Sequence, residues 1–254
     1  MKPVVIKVGG ALAGGALDDL PDLLSAGHRV AVVHGGGVQL TRMLDRLGIP
    51  TRFHAGLRVT DEATLEVAEI VLAGGVNKRL ARSLSVLGVR AAGISGTDGP
   101  TLLVEPVPGL GRVGKVVRVE PQLIEALWSG GFVPVVAPLG LGPEGAYNVN
   151  ADSAAAALSI GLGACRLFLL TDVDGLLEEG ETVETLDPDR CEDYVDRGLA
   201  AGGMAPKLRA AAEAARGGVE ARILNGNRKG ALAAAVAGER VGTLISEGVT
   251  ACKQ

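Results

Sequence analysis

Short runs of β-branched and apolar residues alternate with stretches of helical periodicity along most of the chain. VVIKV at 4–8 and RVAVVH at 29–34 have the length and composition of strands. LDDLPDLLSAG at 17–27 predicts a helix with Pro21 in its first turn, where a missing N–H costs no helical bond. VQLTRMLDRLG at 38–48 places Leu40, Met43, Leu44 and Leu47 at the i, i+3, i+4, i+7 spacing of one helix face, and Gly48 ends it. DEATLEVAEIVLAG at 61–74 predicts a further helix, with Asp61 and Glu62 in the first turn, where the helix dipole favours negative charge.

Continuous apolar strands separated by helices mean a parallel sheet covered on both faces. The middle of the chain differs: PTLLVEPVPGLGRVGKVVRVEP at 100–121 has two strand-like arms around Gly and Pro and predicts an antiparallel hairpin. Alternation then resumes with FVPVVAP, an Asn-rich stretch leading into an alanine helix, RLFLLTDVDG, MAPKLRAAAEAARGG and ARILNG. The predicted fold is α/β, an open three-layer αβα sandwich with a mainly parallel central sheet and inserted β-hairpins, in a single domain over 1–254.

Composition narrows the functions open to such a fold. Of 254 residues 47% are hydrophobic but only 2% aromatic, so the core is built from Ala, Val, Leu and Ile. A net charge of -4 without a basic stripe argues against a nucleic-acid partner, and the scarcity of aromatics removes base stacking as a binding mode. Cys165, Cys191 and Cys252 are far apart and form neither a zinc motif nor a disulfide framework. MKPVVIKVGG is not a signal peptide, and no apolar stretch approaches the roughly 20 residues of a membrane span. The expectation is a soluble, reduced, cytoplasmic protein.

Phosphate handling is the first chemistry to test. No GxxxxGK[ST] string exists. GxGxxG occurs twice, at 109–114 and 140–145, but neither match sits between a strand and a helix, so a nicotinamide-binding reading lacks its context. Gly9–Gly10 and Gly35–Gly37 are better placed, each directly after a predicted strand, where glycine lets backbone N–H groups approach an anion. The bland alternative is a pair of tight turns. Lys7, separated from the first cluster by one residue, reaches either a phosphate or the solvent at a sheet edge. Lys207, in the first turn of a helix, opposes the dipole unless it holds an anion. Arg58 is suited to clamp a carboxylate, or to pair with Asp61 or Glu62. In AYNVNADSAAAAL at 146–158, Asn148 and Asn150 face the same side of an extended segment, and Asn150 with Asp152 suits a helix start. Capping alone leaves Asn148 without a role.

Taken together and in order, VIKVGGA, VVHGGG, AGLRVTDEATLEVAEIVLAGGVNK, GISGTDG, AYNVNADSAAAAL, LLTDVDGLL and GGMAPKLRAA resemble the amino acid kinase family over essentially the whole chain. The resemblance implies ATP-dependent phosphorylation of the side-chain carboxylate of N-acetyl-L-glutamate, giving an acyl phosphate in the second step of the acetylated route to arginine. It implies an amino-acid lobe over about 1–150 and a nucleotide lobe over about 151–254. Lys7 and Lys207 would be catalytic, stabilising the transferring phosphoryl group, with Asp152 holding both. Gly36, Gly37, Arg58, Asn148 and Asn150 would bind the amino acid. Gly9 and Gly10 would lie near the ATP phosphates, while Thr171, Asp172, Gly175, Gly203 and Met204 would shape the nucleotide pocket. Mg2+ would be held by ATP oxygens and water, with no protein ligand.

The branch of the family acting on acetylaminoadipate is the nearest alternative, but it carries a Ser-Arg-Tyr-Thr-like string where this chain has GLRVTD. A non-catalytic sensor on the same fold would lack a lysine or the aspartate, and none is missing. Thr97 in SGTDG departs from the usual Lys or Gly and is expected to affect packing on the nucleotide side. Asn225 stands where Asp is common. The chain begins almost at its first strand, without the helix that links arginine-inhibited relatives into hexamers, so the expected assembly is an arginine-insensitive homodimer.

Overall fold

The computed structural model describes residues 2–9 and 15–247. In chain order the first half comprises β1 (Val4–Val8), α1 (Leu20–Ser25), β2 (Val30–His34), α2 (Gly37–Leu47), the short hairpin β3 (Phe53–His54) and β4 (Leu57–Arg58), α3 (Glu62–Ala68), a π-helical segment (Glu69–Val76), α4 (Asn77–Val86), β5 (Ala91–Ser95), β6 (Leu102–Pro106), β7 (Val113–Val119) and α5 (Gln122–Ser129). The second half comprises β8 (Val133–Ala137), β9 (Leu139–Gly142), β10 (Gly145–Val149), α6 (Ala151–Gly161), β11 (Arg166–Thr171), β12 (Leu177–Glu178), β13 (Glu181–Thr182), β14 (Thr185–Leu186), α7 (Cys191–Asp196), α8 (Met204–Arg216), β15 (Glu220–Asn225), α9 (Ala231–Val236) and β16 (Thr243–Ile245).

The main sheet runs β14-β16-β15-β11-β1-β2-β8-β5, and every pairing in it is parallel except β15 with β16. Its central strands are apolar on both faces, as the unbroken runs predict. Alternate residues serve different layers. Val5, Ala31, Val33, Leu167 and Leu169 pack with α6 and α8, whereas Val4, Ile6, Val30, Phe168 and Leu170 pack with α1, α4 and α9. The α/β sandwich of the sequence stands. No helix among the described residues is long and apolar enough to cross a membrane.

Two features differ from the sequence expectation. The 100–121 hairpin is β6 and β7, but it closes with β9 and β10 into a four-stranded barrel. The buried Tyr147 and Val104 sit so tightly in this barrel that a Cβ at Gly114 would lie 2.7 Å from Val104, and one at Gly142 2.5 Å from Tyr147. Gly114, Gly140 and Gly142 of the GxGxxG strings thus serve close strand packing. Second, the helix beginning at Asp61 does not stop at Gly74. It widens into the π segment and continues as α4 to Val86, with Gly88 left-handed just beyond (φ 81°).

Thr97 follows β5, at the opposite edge of the sheet from β15 and β16, and its hydroxyl lies 2.6 Å from that of Ser95. Its packing therefore belongs to the end of the sheet away from Thr171 and Asp172.

Candidate active site

β1, β2 and β11 end side by side, and a cleft of about 560 Å³ opens over their C-terminal ends. This is the edge at which open α/β sheets bind ligands. Strand alternation puts Lys7 on the same side as Val5, toward α6 and α8. Asp152 projects from the first turn of α6, and Lys207 from the first turns of α8, which packs along α6. Lys7 Nζ is 2.7 Å from Asp152 Oδ1 and Lys207 Nζ is 3.4 Å from Oδ2, with side-chain exposures of 5, 12 and 7% for Lys7, Lys207 and Asp152.

The three charges leave one positive charge uncompensated. Burial pushes the Lys7 ammonium below the ordinary lysine value of 10.5; Asp152 pulls it back up and Lys207 adds to the depression. An arriving polyanion acts in the same direction as Asp152. Two ammonium groups converging on one carboxylate suit a highly charged anion.

The glycine loop after β2 forms another wall. Gly35 N–H donates to Val8 O at 2.9 Å, tying the loop to β1. Gly36 has no room for a side chain, because a Cβ would fall 2.5 Å from Leu72 Cδ2 and 3.3 Å from Val76 Cγ2. Leu72 and Val76 both come from the π segment. Leu40 N–H closes the first bond of α2 onto Gly36 O, so the N–H groups of Gly36 and Gly37 have no intrahelical acceptor, and both residues line the cleft. Gly9 lines it as well, while Gly10 lies outside the described residues.

Arg58 pairs with neither acid proposed for it. Asp61 caps α3 through Thr64 N–H at 2.8 Å, and Glu62 is bound by Arg112 at 2.6 Å. The Arg58 guanidinium instead donates to Thr41 Oγ1 at 2.7 Å, Gly37 O at 3.1 Å and Thr51 Oγ1 at 3.2 Å, and lies 4.8 Å from the Phe53 ring centre. Among the described residues no carboxylate forms a salt bridge with it. A buried, oriented guanidinium without an acid suits an incoming carboxylate. Burial lowers its pKa below the ordinary arginine value. Asn148 donates to Thr60 Oγ1 at 3.2 Å and lines the cleft. Asn150 caps α6, its Oδ1 accepting from Asp152 N–H and Ser153 N–H at 3.0 Å each, and borders the cleft too.

At the far end Thr171, Asp172 and Gly203 line the cleft. Gly175 and Met204 do not. A Cβ at Gly175 would meet Thr243 Oγ1 at 2.6 Å, and Met204 packs against the main core. Asn225 donates to Asp174 Oδ1 at 2.8 Å, a bond an ionised aspartate at 225 would not make. Sequence reasoning missed Thr41, Phe53 and Leu72 in the walls, and Thr60 behind Asn148. Thr41 lies four residues after Gly37, one helical turn on, a spacing that makes its hydroxyl available to the loop; the others carry no local signal.

The chain belongs to the amino acid kinase family, whose profile matches residues 2–225. The acetylglutamate kinase of Rubrobacter xylanophilus is 72% identical over 248 residues, covering 97% of this chain and 98% of that protein. Among solved structures, the smu.665 protein of Streptococcus mutans superposes with a TM-score of 0.85 at 28% identity, covering 96% of this chain and 98% of that one. The N-acetylglutamate synthase of Neisseria gonorrhoeae, solved with coenzyme A and N-acetyl-glutamate, superposes with a TM-score of 0.83 at 27% identity over 98% of this chain and 60% of that longer one.

Proposed function

We propose that the chain transfers the γ-phosphoryl group of ATP to the side-chain carboxylate of N-acetyl-L-glutamate, forming N-acetyl-L-glutamyl 5-phosphate for arginine biosynthesis. The observation that carries this is Asp152 bridging Lys7 and Lys207 at the floor of a cleft whose wall holds Arg58 without an acid partner. The acetylglutamate kinase at 72% identity supports the choice of amino acid.

A carboxylate is already a nucleophile at neutral pH, so the reaction needs no general base. One carboxylate oxygen forms a bond to γ-phosphorus as the bond to the β–γ bridging oxygen breaks, and that oxygen leaves on ADP with the electron pair. The obstacle is bringing one anion up to another, so catalysis rests on positioning and charge neutralisation. Lys7 and Lys207 neutralise the transferring group, Asp152 holds them apart and aimed, and the N–H groups of Gly36 and Gly37 add donors. Arg58 binds an amino-acid carboxylate. Asn148 and Asn150 offer hydrogen bonds without adding negative charge.

Residues 1–150 supply the amino-acid side of this arrangement and residues 151–254 the nucleotide side, with Thr171, Asp172 and Gly203 nearest the nucleotide. The two-lysine site fits a nucleotide that brings its own Mg2+. Bound Mg2+ neutralises charge on the phosphate oxygens. We take the assembly to be a homodimer in the cytoplasm; Ile70, 62% exposed on the long helix, offers an apolar contact for it. ADP release measured in parallel with N-acetyl-L-glutamate and N-acetyl-L-aminoadipate tests the assignment: the first should support turnover well above the second, and equal or reversed preference would overturn it.

A further inference from the structure

On the opposite face of the sheet from Lys7, a buried polar chain stands behind the glycine loop. His34 ends β2 and is only 2% exposed. Its Nδ1 lies 2.7 Å from Gly35 O, and its Nε2 lies 3.1 Å from Asn77 Nδ2. A carbonyl only accepts, so Nδ1 carries the ring proton and Nε2 accepts from Asn77. Asn77 is wholly buried at the point where the π segment passes into α4. Its amide nitrogen also lies 3.0 Å from Ile94 O and 2.8 Å from Val135 O, so its two N–H groups are shared among three acceptors; the orientation of the amide is fixed, since its oxygen cannot face two carbonyls. Burial pushes the His34 pKa down to about 4, and Lys78 adds to the depression, so the ring stays neutral and keeps Nε2 as an acceptor.

The consequence falls on Gly36. In a planar trans peptide the carbonyl and the N–H point in opposite directions. The Gly35–Gly36 peptide has its carbonyl held by His34 on the α4 side, and Gly35 N–H is fixed by Val8 O. Gly36 N–H is thereby turned away from His34, and Gly36 lines the cleft.

We propose that Asn77 and His34 are positioning residues that aim the Gly36 N–H at the transferring phosphoryl group, through the Gly35 carbonyl. This rests on the phosphotransfer reading above and adds to it two residues that touch no substrate.

The tautomer is tested on the wild-type protein without any reaction. Long-range 1H–15N correlation of 15N-histidine-labelled protein should show His34 with Nδ1 protonated and Nε2 bare, unchanged on acidification until the pH nears about 4. A protonated Nε2 overturns the relay whatever the enzyme's substrate. Kinetics then test its purpose. His34→Asn keeps an amide N–H where Nδ1 stands, and His34→Leu does not. His34→Leu should lower kcat about 10-fold or more with KM for N-acetyl-L-glutamate changed by less than about 3-fold, and His34→Asn should recover most of kcat. Equal losses in both variants, a loss confined to KM, or a loss that simply follows a fall in Tm would overturn the proposal. Absence of wild-type turnover on N-acetyl-L-glutamate would count against the substrate instead.

Discussion

Asp152 lies between two lysines that come from opposite ends of the chain, 2.7 Å from Lys7 on β1 and 3.4 Å from Lys207 on α8. Removing a buried anion from between two cations costs more than the pair contributes. Asp152→Asn should lower kcat by about 10²-fold and leave Lys7 with a still lower pKa, because Asp152 is the group that raises it. The alkaline limb of the rate profile should move to lower pH. A profile with unchanged rate and limb would return Asp152 to a purely capping-end role.

Lys7→Ala and Lys207→Ala should each lower kcat by roughly 10²-fold or more, by comparison with the loss of an oxyanion donor. The lysine pKa gives a second readout. Lys7 is depressed in the free protein, and a bound phosphate chain raises it again. Binding of Mg-ATP should therefore take up protons in the window between the lowered value and the higher value of the complex. Calorimetry in buffers of different ionisation enthalpy measures this. Proton release, or uptake that survives in Lys7→Met, would contradict the assignment.

Arg58→Ala should raise KM for N-acetyl-L-glutamate by 10-fold or more with a smaller change in kcat, since it removes binding rather than chemistry. Thr41→Val deletes the 2.7 Å bond that orients the guanidinium and should raise the same KM by roughly 3-fold. An effect of either on ATP alone would misplace the amino acid in the cleft.

Asn150 and Asn148 separate capping from binding. Asn150→Ala loses the acceptor of two first-turn N–H groups and should cost about 1 kcal/mol, lowering Tm by about 2–4 °C. Asn150→Ser should restore most of that Tm. Asn148→Ala should leave Tm nearly unchanged and raise KM for the amino acid. Thermal unfolding and kinetics on the three variants decide between the roles.

Gly36→Ala forces a Cβ to within 2.5 Å of Leu72 Cδ2. It should reduce activity about 10-fold or more through displacement of the loop, and Leu72→Ala in the same chain should restore part of the loss. No rescue would mean that Leu72 does not set the loop's position.

The charged residues of the site were legible because each interrupts an apolar or glycine run: Lys7 within VVIKV, Asp152 ahead of alanines, Lys207 at a helix start. The Asn150 cap was legible for the same local reason. The barrel was not, because it closes through strands far apart in sequence, and its packing glycines imitate a cofactor loop. The π segment was also hidden. Glu69–Val76 is nearly uniformly apolar, so periodicity gives no phase, and the segment ends at Asn77, whose amide binds the backbone of β5 and β8 at Ile94 and Val135. Of the two readings open for Arg58, the local ion pair was the one a sequence could not exclude, because Glu62 is taken by Arg112, 50 residues away.

The central claim is that this cleft makes an acyl phosphate on the side-chain carboxylate of N-acetyl-L-glutamate. A hydroxylamine trap reads that product directly. With ATP, Mg2+ and N-acetyl-L-glutamate the wild-type protein should give one hydroxamate per ADP formed, and Lys7→Ala should give almost none. ADP without hydroxamate, or hydroxamate formed equally well by Lys7→Ala, would contradict the account.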